Sequence, residues 1–281
     1  MPLYQLEGSI PELLDPVVVA AFDGWVDAGG AATTVLEILG EDAPVIARFD
    51  PDELFDYRSR RPTLLIRDGR LASLDWPEIT LRAARFEGRD VLILTGAEPD
   101  DRWRRFATDT VELMGTLGVS QWISLGAIPA AVAHTRSVPI LGTASRGGLL
   151  RGGVLPGPAG LLKVPSAALS MLEMAVSESG VPSVGYFAQI PHYVSGAYAL
   201  AALELVKTLE QHLAVDLPRG DLVEESRQLR VRLDAATEAD ETTRAYVERL
   251  ESMVDESRQP AGDDLIADIE RFLRDRSGDG A

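Results

Sequence analysis

Over about the first two hundred residues, the chain alternates short apolar runs, bounded by glycine, proline or aspartate, with longer stretches that carry helical spacing. A chain of this kind buries each run as a strand and lays the following stretch over the sheet, so the pattern predicts an α/β fold. The spacing places strands at 17–22, 45–49, 91–95, 121–127, 140–145 and 183–190, and helices at 31–39, 101–117, 165–177 and 198–213. Within 101–117, Phe106, Thr110, Leu113, Met114 and Leu117 share one face, as a crossover helix lying on a sheet requires.

Two regions break the rhythm. Between 62 and 86, TLLIRDGRLASL sets Asp68-Gly69 between two strand-like runs, and Asp-Gly favours a tight turn because both positions tolerate positive φ. An inserted β-hairpin arm is expected there, exposing Leu64, Ile66, Leu71 and Leu74 unless a second subunit covers them. From 216 onward the chain is acid-rich, and Leu222, Ser226, Leu229, Leu233, Ala236, Asp240, Thr243, Val247, Leu250 and Val254 follow heptad-like steps. Ser226, Asp240 and Thr243 interrupt that stripe, which favours two helices folded back on the body, with a break near 235–237, over a long coiled coil. A short amphipathic helix is expected over 263–274, through Leu265, Ile269, Phe272 and Leu273. The resulting organisation is a core over 1–215, carrying the 62–86 arm, and a helical lid over 216–281.

Composition then excludes whole classes of function. Forty-four acidic against 27 basic residues give a net charge of -17, which repels nucleic-acid phosphates and anionic membrane surfaces alike. The clusters Arg58, Arg60, Arg61 and Arg102, Arg104, Arg105 read as ion pairs rather than a phosphate footprint. With no cysteine there is no disulfide framework and no thiolate zinc site. Apolar runs such as PVVVAAF fall far short of the roughly 20 residues that span a bilayer, and MPLYQLEGSIPELLD lacks a basic region ahead of an apolar one. A cytoplasmic protein is the expectation.

In an open α/β sheet, ligands bind at the carboxyl ends of strands, so the turns after them are the places to look. FDGWVDAGGAA (22–32) combines Asp23, Gly24, Trp25, Asp27 and Gly29 ahead of a helix; it suits either close backbone approach to a ligand or a tight turn capped by Asp27. GAEPDDRW (96–103) crowds Glu98, Asp100 and Asp101, of which Asp100 or Asp101 reads first as a helix cap. GAIPAAVAHTR (126–136) presents His134 and QIPHYVS (189–195) presents His192, each a potential acid or base and equally a structural residue. LPGPAGLLKVPS (155–166) adds Gly157 and Gly160. The dinucleotide, Walker A, HExxH and Gly-x-Ser-x-Gly patterns are absent, so no cofactor, no metal and no catalytic residue is assigned.

Together GWVDAGGAA, FDPDELFDYRSRRP, EPDDRW, GAIPAAVAHTR, PGPAG and PHYVS, in this order, resemble the proteasome assembly chaperone 2 family in its actinobacterial branch. The resemblance implies a three-layer α/β/α core of the phosphorylase/hydrolase type, a homotrimer, an inserted hairpin and a helical part over the pocket. It implies no settled activity. Proteasome-docking members commonly end in a hydrophobic residue, a tyrosine and one more; this chain ends Asp279-Gly280-Ala281, so direct docking is not carried over. Two readings follow. One is a small-molecule-binding protein, or an undescribed hydrolase- or phosphorylase-type enzyme, whose pocket uses Asp23, Gly24, Trp25, Asp27, Gly29, Glu98, His134, Gly157, Gly160 and His192. The other is an assembly chaperone that recognises a protein client.

Overall fold

Val17 to Phe22 is an unbroken apolar run because both its faces are covered, and it ends at the exposed Asp23. Val17, Val19 and Ala21 point into one core and Val18, Ala20 and Phe22 into another. The computed structural model describes residues 1–8, 10–154, 156–158 and 160–258, with the backbone alone for 253–258. The expected helix over 263–274 and the final residues lie outside these, as does the side chain of Val254.

The strands are β1 (Tyr4–Leu6), β2 (Val17–Asp23), β3 (Val45–Phe49), β4 (Thr63–Arg67), β5 (Arg70–Asp75), β6 (Ile79–Phe86), β7 (Arg89–Ala97), β8 (Gln121–Ala130), β9 (Ile140–Ala144) and β10 (Ser183–Pro191). The helices are α1 (Ala31–Gly40), α2 (Pro51–Leu54), α3 (Trp103–Thr116), α4 (Ala168–Glu178), α5 (Ala199–Leu213), α6 (Leu222–Ala239) and α7 (Glu241–Arg258). Eight strands form one sheet in the order β1-β3-β6-β7-β2-β8-β10-β9. Its centre, β7-β2-β8-β10, is parallel, and β6, β3, β1 and β9 add antiparallel neighbours. α1 and α5 cover one face through Val35, Leu36, Leu39, Leu205 and Leu209. α3 and α4 cover the other through Phe106, Leu113, Met114, Leu172 and Val176, which completes the α/β/α layering. Among the described residues no helix is long and apolar enough to cross a membrane.

The expected arm is shorter than 62–86. β4 and β5 form a separate two-stranded sheet with every residue exposed, whereas Ile79–Phe86 pairs with β7 and β3 inside the main sheet. Alternation explains the capture of β6: Ile79, Leu81 and Ala83 are buried in one core, and Arg82 and Ala84 point to the opposite face. In the arm, a bulge between Leu65 and Ile66 shifts the register, so that Leu64 pairs with Leu74 and Ile66 with Leu71. That shift gathers the four side chains on one face.

α6 and α7 fold back on the body, α6 against α5 and α7 against Ala133 through Val247 and Leu250. Their break falls at Asp240 rather than at 235–237, because the Asp240 carboxylate accepts the Thr243 N–H at 2.9 Å and caps α7. Ser226, read as an interruption, is buried beside Leu222 and Leu229. Asp100 and Asp101 do not cap α3, which starts after Arg102 in a left-handed conformation; Asp100 instead accepts the Asp56 N–H at 3.0 Å.

Candidate functional site

Because β2, β7, β8 and β10 run parallel, the turns after all four reach one edge of the sheet. Glu98, just past β7, organises the first group there. Its Oε2 accepts the Trp25 N–H at 2.9 Å, its Oε1 accepts the Ala168 N–H at 2.7 Å, and its own N–H donates to Asp23 O at 3.1 Å. One carboxylate thus ties the β2 turn to the first residue of α4, where a helix terminus favours negative charge. Gly24 makes this possible, since a Cβ there would lie 2.4 Å from Glu98 Oε2. The Trp25 side chain itself stands in solvent.

Asp27 is buried and holds the first turn of α1. It accepts the Ala32 N–H at 2.7 Å and the Thr33 hydroxyl, and burial pushes its carboxyl above the ordinary range against the pull of those donors. Gly29 sits at φ 64°, and its carbonyl accepts the Tyr198 N–H at 3.2 Å, which joins the entries of α1 and α5. Asp23 faces outward. Arg60 Nη1 donates to its Oδ2 at 2.8 Å and Nη2 to its carbonyl at 3.1 Å. Arg58 pairs with Asp56 and Arg102 with Glu53, so these members of the two arginine clusters make ion pairs within the chain.

The second group joins the two histidines through a tyrosine. Tyr193 Oη accepts the His134 N–H at 2.9 Å and lies 2.7 Å from His134 Nδ1. His134 Nε2 is 3.2 Å from Asp234 Oδ1, an ion-pair distance without hydrogen-bond alignment. Burial holds the His134 imidazole below its usual value, and Asp234 opposes the shift. His192 Nδ1 is 3.1 Å from Ala130 O, and its Nε2 is 3.0 Å from Tyr246 Oη of α7. Arg230 Nη1 donates to Thr135 O at 3.2 Å, and the Thr135 hydroxyl donates to Glu251. Both histidines therefore sit in the seam between the β8 and β10 turns and the C-terminal helices.

Gly157 and Gly160 lie elsewhere. Gly157 N–H donates to Gly142 O of edge strand β9 at 3.0 Å, and among the described residues nothing packs within 4 Å of the Cβ position of Gly160. A cavity of about 610 Å³ opens between α1, β6, β7 and the root of the arm; Asp23 is on its rim, with Arg60, Arg61, Asp75, Trp76 and Glu78. Among the described residues, no three His, Cys, Asp or Glu side chains converge to hold a metal ion. Turn chemistry revealed the carboxylates and imidazoles but missed Arg60 as the partner of Asp23, and Tyr193 and Tyr246 as partners of the histidines. The only local signal for Tyr193 was its place beside His192 in QIPHYVS.

A model of the PAC2 family matches residues 21–237. No functionally curated protein matches the chain. Among solved structures, a protein of unknown function from Corynebacterium glutamicum is 30% identical with a TM-score of 0.85, over 91% of this chain and 98% of that one. A Mycobacterium tuberculosis proteasome-assembly chaperone homologue is 32% identical with a TM-score of 0.75, over 82% of this chain and 99% of its own. A PAC2 family protein from Streptomyces avermitilis is 35% identical with a TM-score of 0.75, over 83% of this chain and 100% of that one.

Proposed function

This chain belongs to the PAC2 family, and on that premise we propose that it is a protein-binding member that assembles as a homotrimer through its hairpin arm and serves protein clients in the cytoplasm. One observation carries the reading. Leu64, Ile66, Leu71 and Leu74, with Trp76 at the root, are between 45% and 75% exposed on an arm that makes no main-sheet pairing. A two-stranded hairpin alone in water is marginally stable, so this face needs cover, and a second copy of the same arm or body supplies it. The polar groups at the carboxyl edge support the same reading, since Glu98, Asp27 and both histidines hold backbone and helices together. The relative described as a proteasome-assembly chaperone homologue suggests the client class, subunits of a protein assembly. In this reading α6 and α7 form a lid over the turns after β8 and β10.

A second reading, a small ligand at the carboxyl edge, is favoured by the 610 Å³ cavity with Asp23 and Arg60 at its rim. Mass spectrometry of the native protein released from its host would reveal such a ligand.

Sedimentation equilibrium tests assembly directly. The expected mass is three times the 30.3 kDa of one chain. Burying half-exposed leucine-sized side chains contributes roughly 1 kcal/mol each, so Ile66→Asp with Leu71→Asp should weaken association by about thirtyfold or more. Monomer mass for the unaltered protein would overturn the assembly reading.

A further inference from the structure

Ser183, Gly185 and Phe187 alternate onto the face of β10 that meets α4, and the neighbouring strands follow in register. Gly185 pairs with Ser124 of β8 on one side and Thr143 of β9 on the other. The row Ser124, Gly185, Thr143 therefore crosses three strands with nothing larger than threonine on it. Glu173 of α4 stands over this row. Thr143 Oγ1 donates to its Oε1 at 2.9 Å. Trp122 Nε1 donates to Ser124 Oγ at 2.8 Å, which holds that hydroxyl in the row. Gly185 leaves the room for this arrangement: a Cβ there would lie 2.4 Å from Thr143 Oγ1 and 2.9 Å from Glu173 Oε2.

The small row leaves a cavity of about 400 Å³ between α4 and the β9 edge of the sheet, a volume that suits a small ligand. Phe187 and Met174 supply apolar walls. Ser183 lines it too; the residue is 1% exposed, and its Oγ has no hydrogen-bond partner among the described residues. The lining carries Glu173 and Glu178 and, among the described residues, no lysine or arginine. Such a lining repels phosphates and carboxylates and attracts a cation. Burial also pushes the Glu173 carboxyl above its ordinary range, so a positive group beside it would favour ionisation.

The geometry points to this cavity as a binding site for a small organic amine, its ammonium held at the Glu173 carboxylate and its apolar body against Phe187 and Met174. The site lies near the amino end of β10, away from the groups at the carboxyl edge, and stands independently of the protein-binding reading.

Benzylamine is the probe, with benzyl alcohol and benzoate as neutral and anionic counterparts of similar shape, measured by titration calorimetry on the full chain. Benzylamine should bind saturably and at least about tenfold more tightly than either counterpart. Glu173→Gln keeps the shape and removes the charge, and should weaken benzylamine about tenfold. Gly185→Ala should abolish binding by displacing Thr143 and Glu173 into the cavity. The site is overturned if benzylamine does not bind the unaltered protein, if benzoate binds as tightly, or if Glu173→Gln binds benzylamine unchanged. The last comparison stands even where Gly185→Ala fails to fold.

Discussion

Replacing Glu98 by alanine separates a structural carboxylate from one held ready for a ligand. The substitution removes two charge-assisted bonds, to the Trp25 and Ala168 N–H groups, at 2.9 and 2.7 Å. A bond to a charged group contributes about 1.5–3 kcal/mol when desolvated, and partial exposure here lowers each to about 1–1.5 kcal/mol. Loss of a negative charge from the start of α4 adds a few tenths of a kcal/mol. The total is about 2–3 kcal/mol of global stability, which for a chain of this size lowers the melting temperature by roughly 3–5 °C. Urea unfolding of Glu98→Ala should show a lower midpoint with the slope unchanged, in ligand-free protein. Glu98→Gln should fall between the two, because its amide oxygen keeps one acceptor and its NH2 faces the second donor. A loss below about 0.5 kcal/mol in Glu98→Ala would refute the reasoning and return Glu98 to the pool of ligand-binding groups.

Acid sensitivity should trace in part to His212. Burial, with help from the charges of Arg151 and Arg89, holds its pKa down to about 4 from 6.5, while Tyr186 Oη lies 2.7 Å from its Nδ1. A depressed folded pKa means the unfolded chain takes the proton first, so stability present above pH 6.5 is lost as pH falls toward 4, by on the order of 2 kcal/mol after allowance for solvent screening. His212→Gln keeps an acceptor for Tyr186 and should flatten that part of the pH dependence of urea midpoints; identical slopes in the two proteins would exclude the assignment. Hydrogen exchange should show α6 and α7 opening before β2, β7 and β8, because the contact of α7 with the body rests on a small cluster of Ala133, Val247 and Leu250 flanked by Tyr193 and Tyr246. Tyr193→Phe removes the hydroxyl that meets His134 and should speed exchange in α7 about tenfold, a net loss near 1.4 kcal/mol. Protection in α7 equal to the central strands would make the pair a fixed element and end the lid proposal.

Local order in the chain settled the strands and helices of the core. PVVVAAF reads as a doubly covered strand because consecutive β-branched and small residues meet breakers at both ends, and Phe106, Leu113 and Met114 mark the inner face of α3 by spacing alone. Asp68-Gly69 located the turn of the arm, with both residues at positive φ. The end of the arm was not legible, because Ile79–Phe86 has the same alternation as a hairpin strand and its assignment depends on pairing with β3 and β7. The same limit governs function. Sequence identified carboxylates and histidines at the strand ends, yet whether each is available depends on groups far away in the chain. Glu98 is held by residues 73 and 70 positions distant, and His134 by one 59 positions distant. Ser124, Thr143, Glu173 and Ser183 look like ordinary polar residues until three strands and a helix bring them around Gly185. Periodicity belongs to neighbouring residues and can be read from their order, whereas a partner is chosen by register and crossover, which come into being only when the sheet closes.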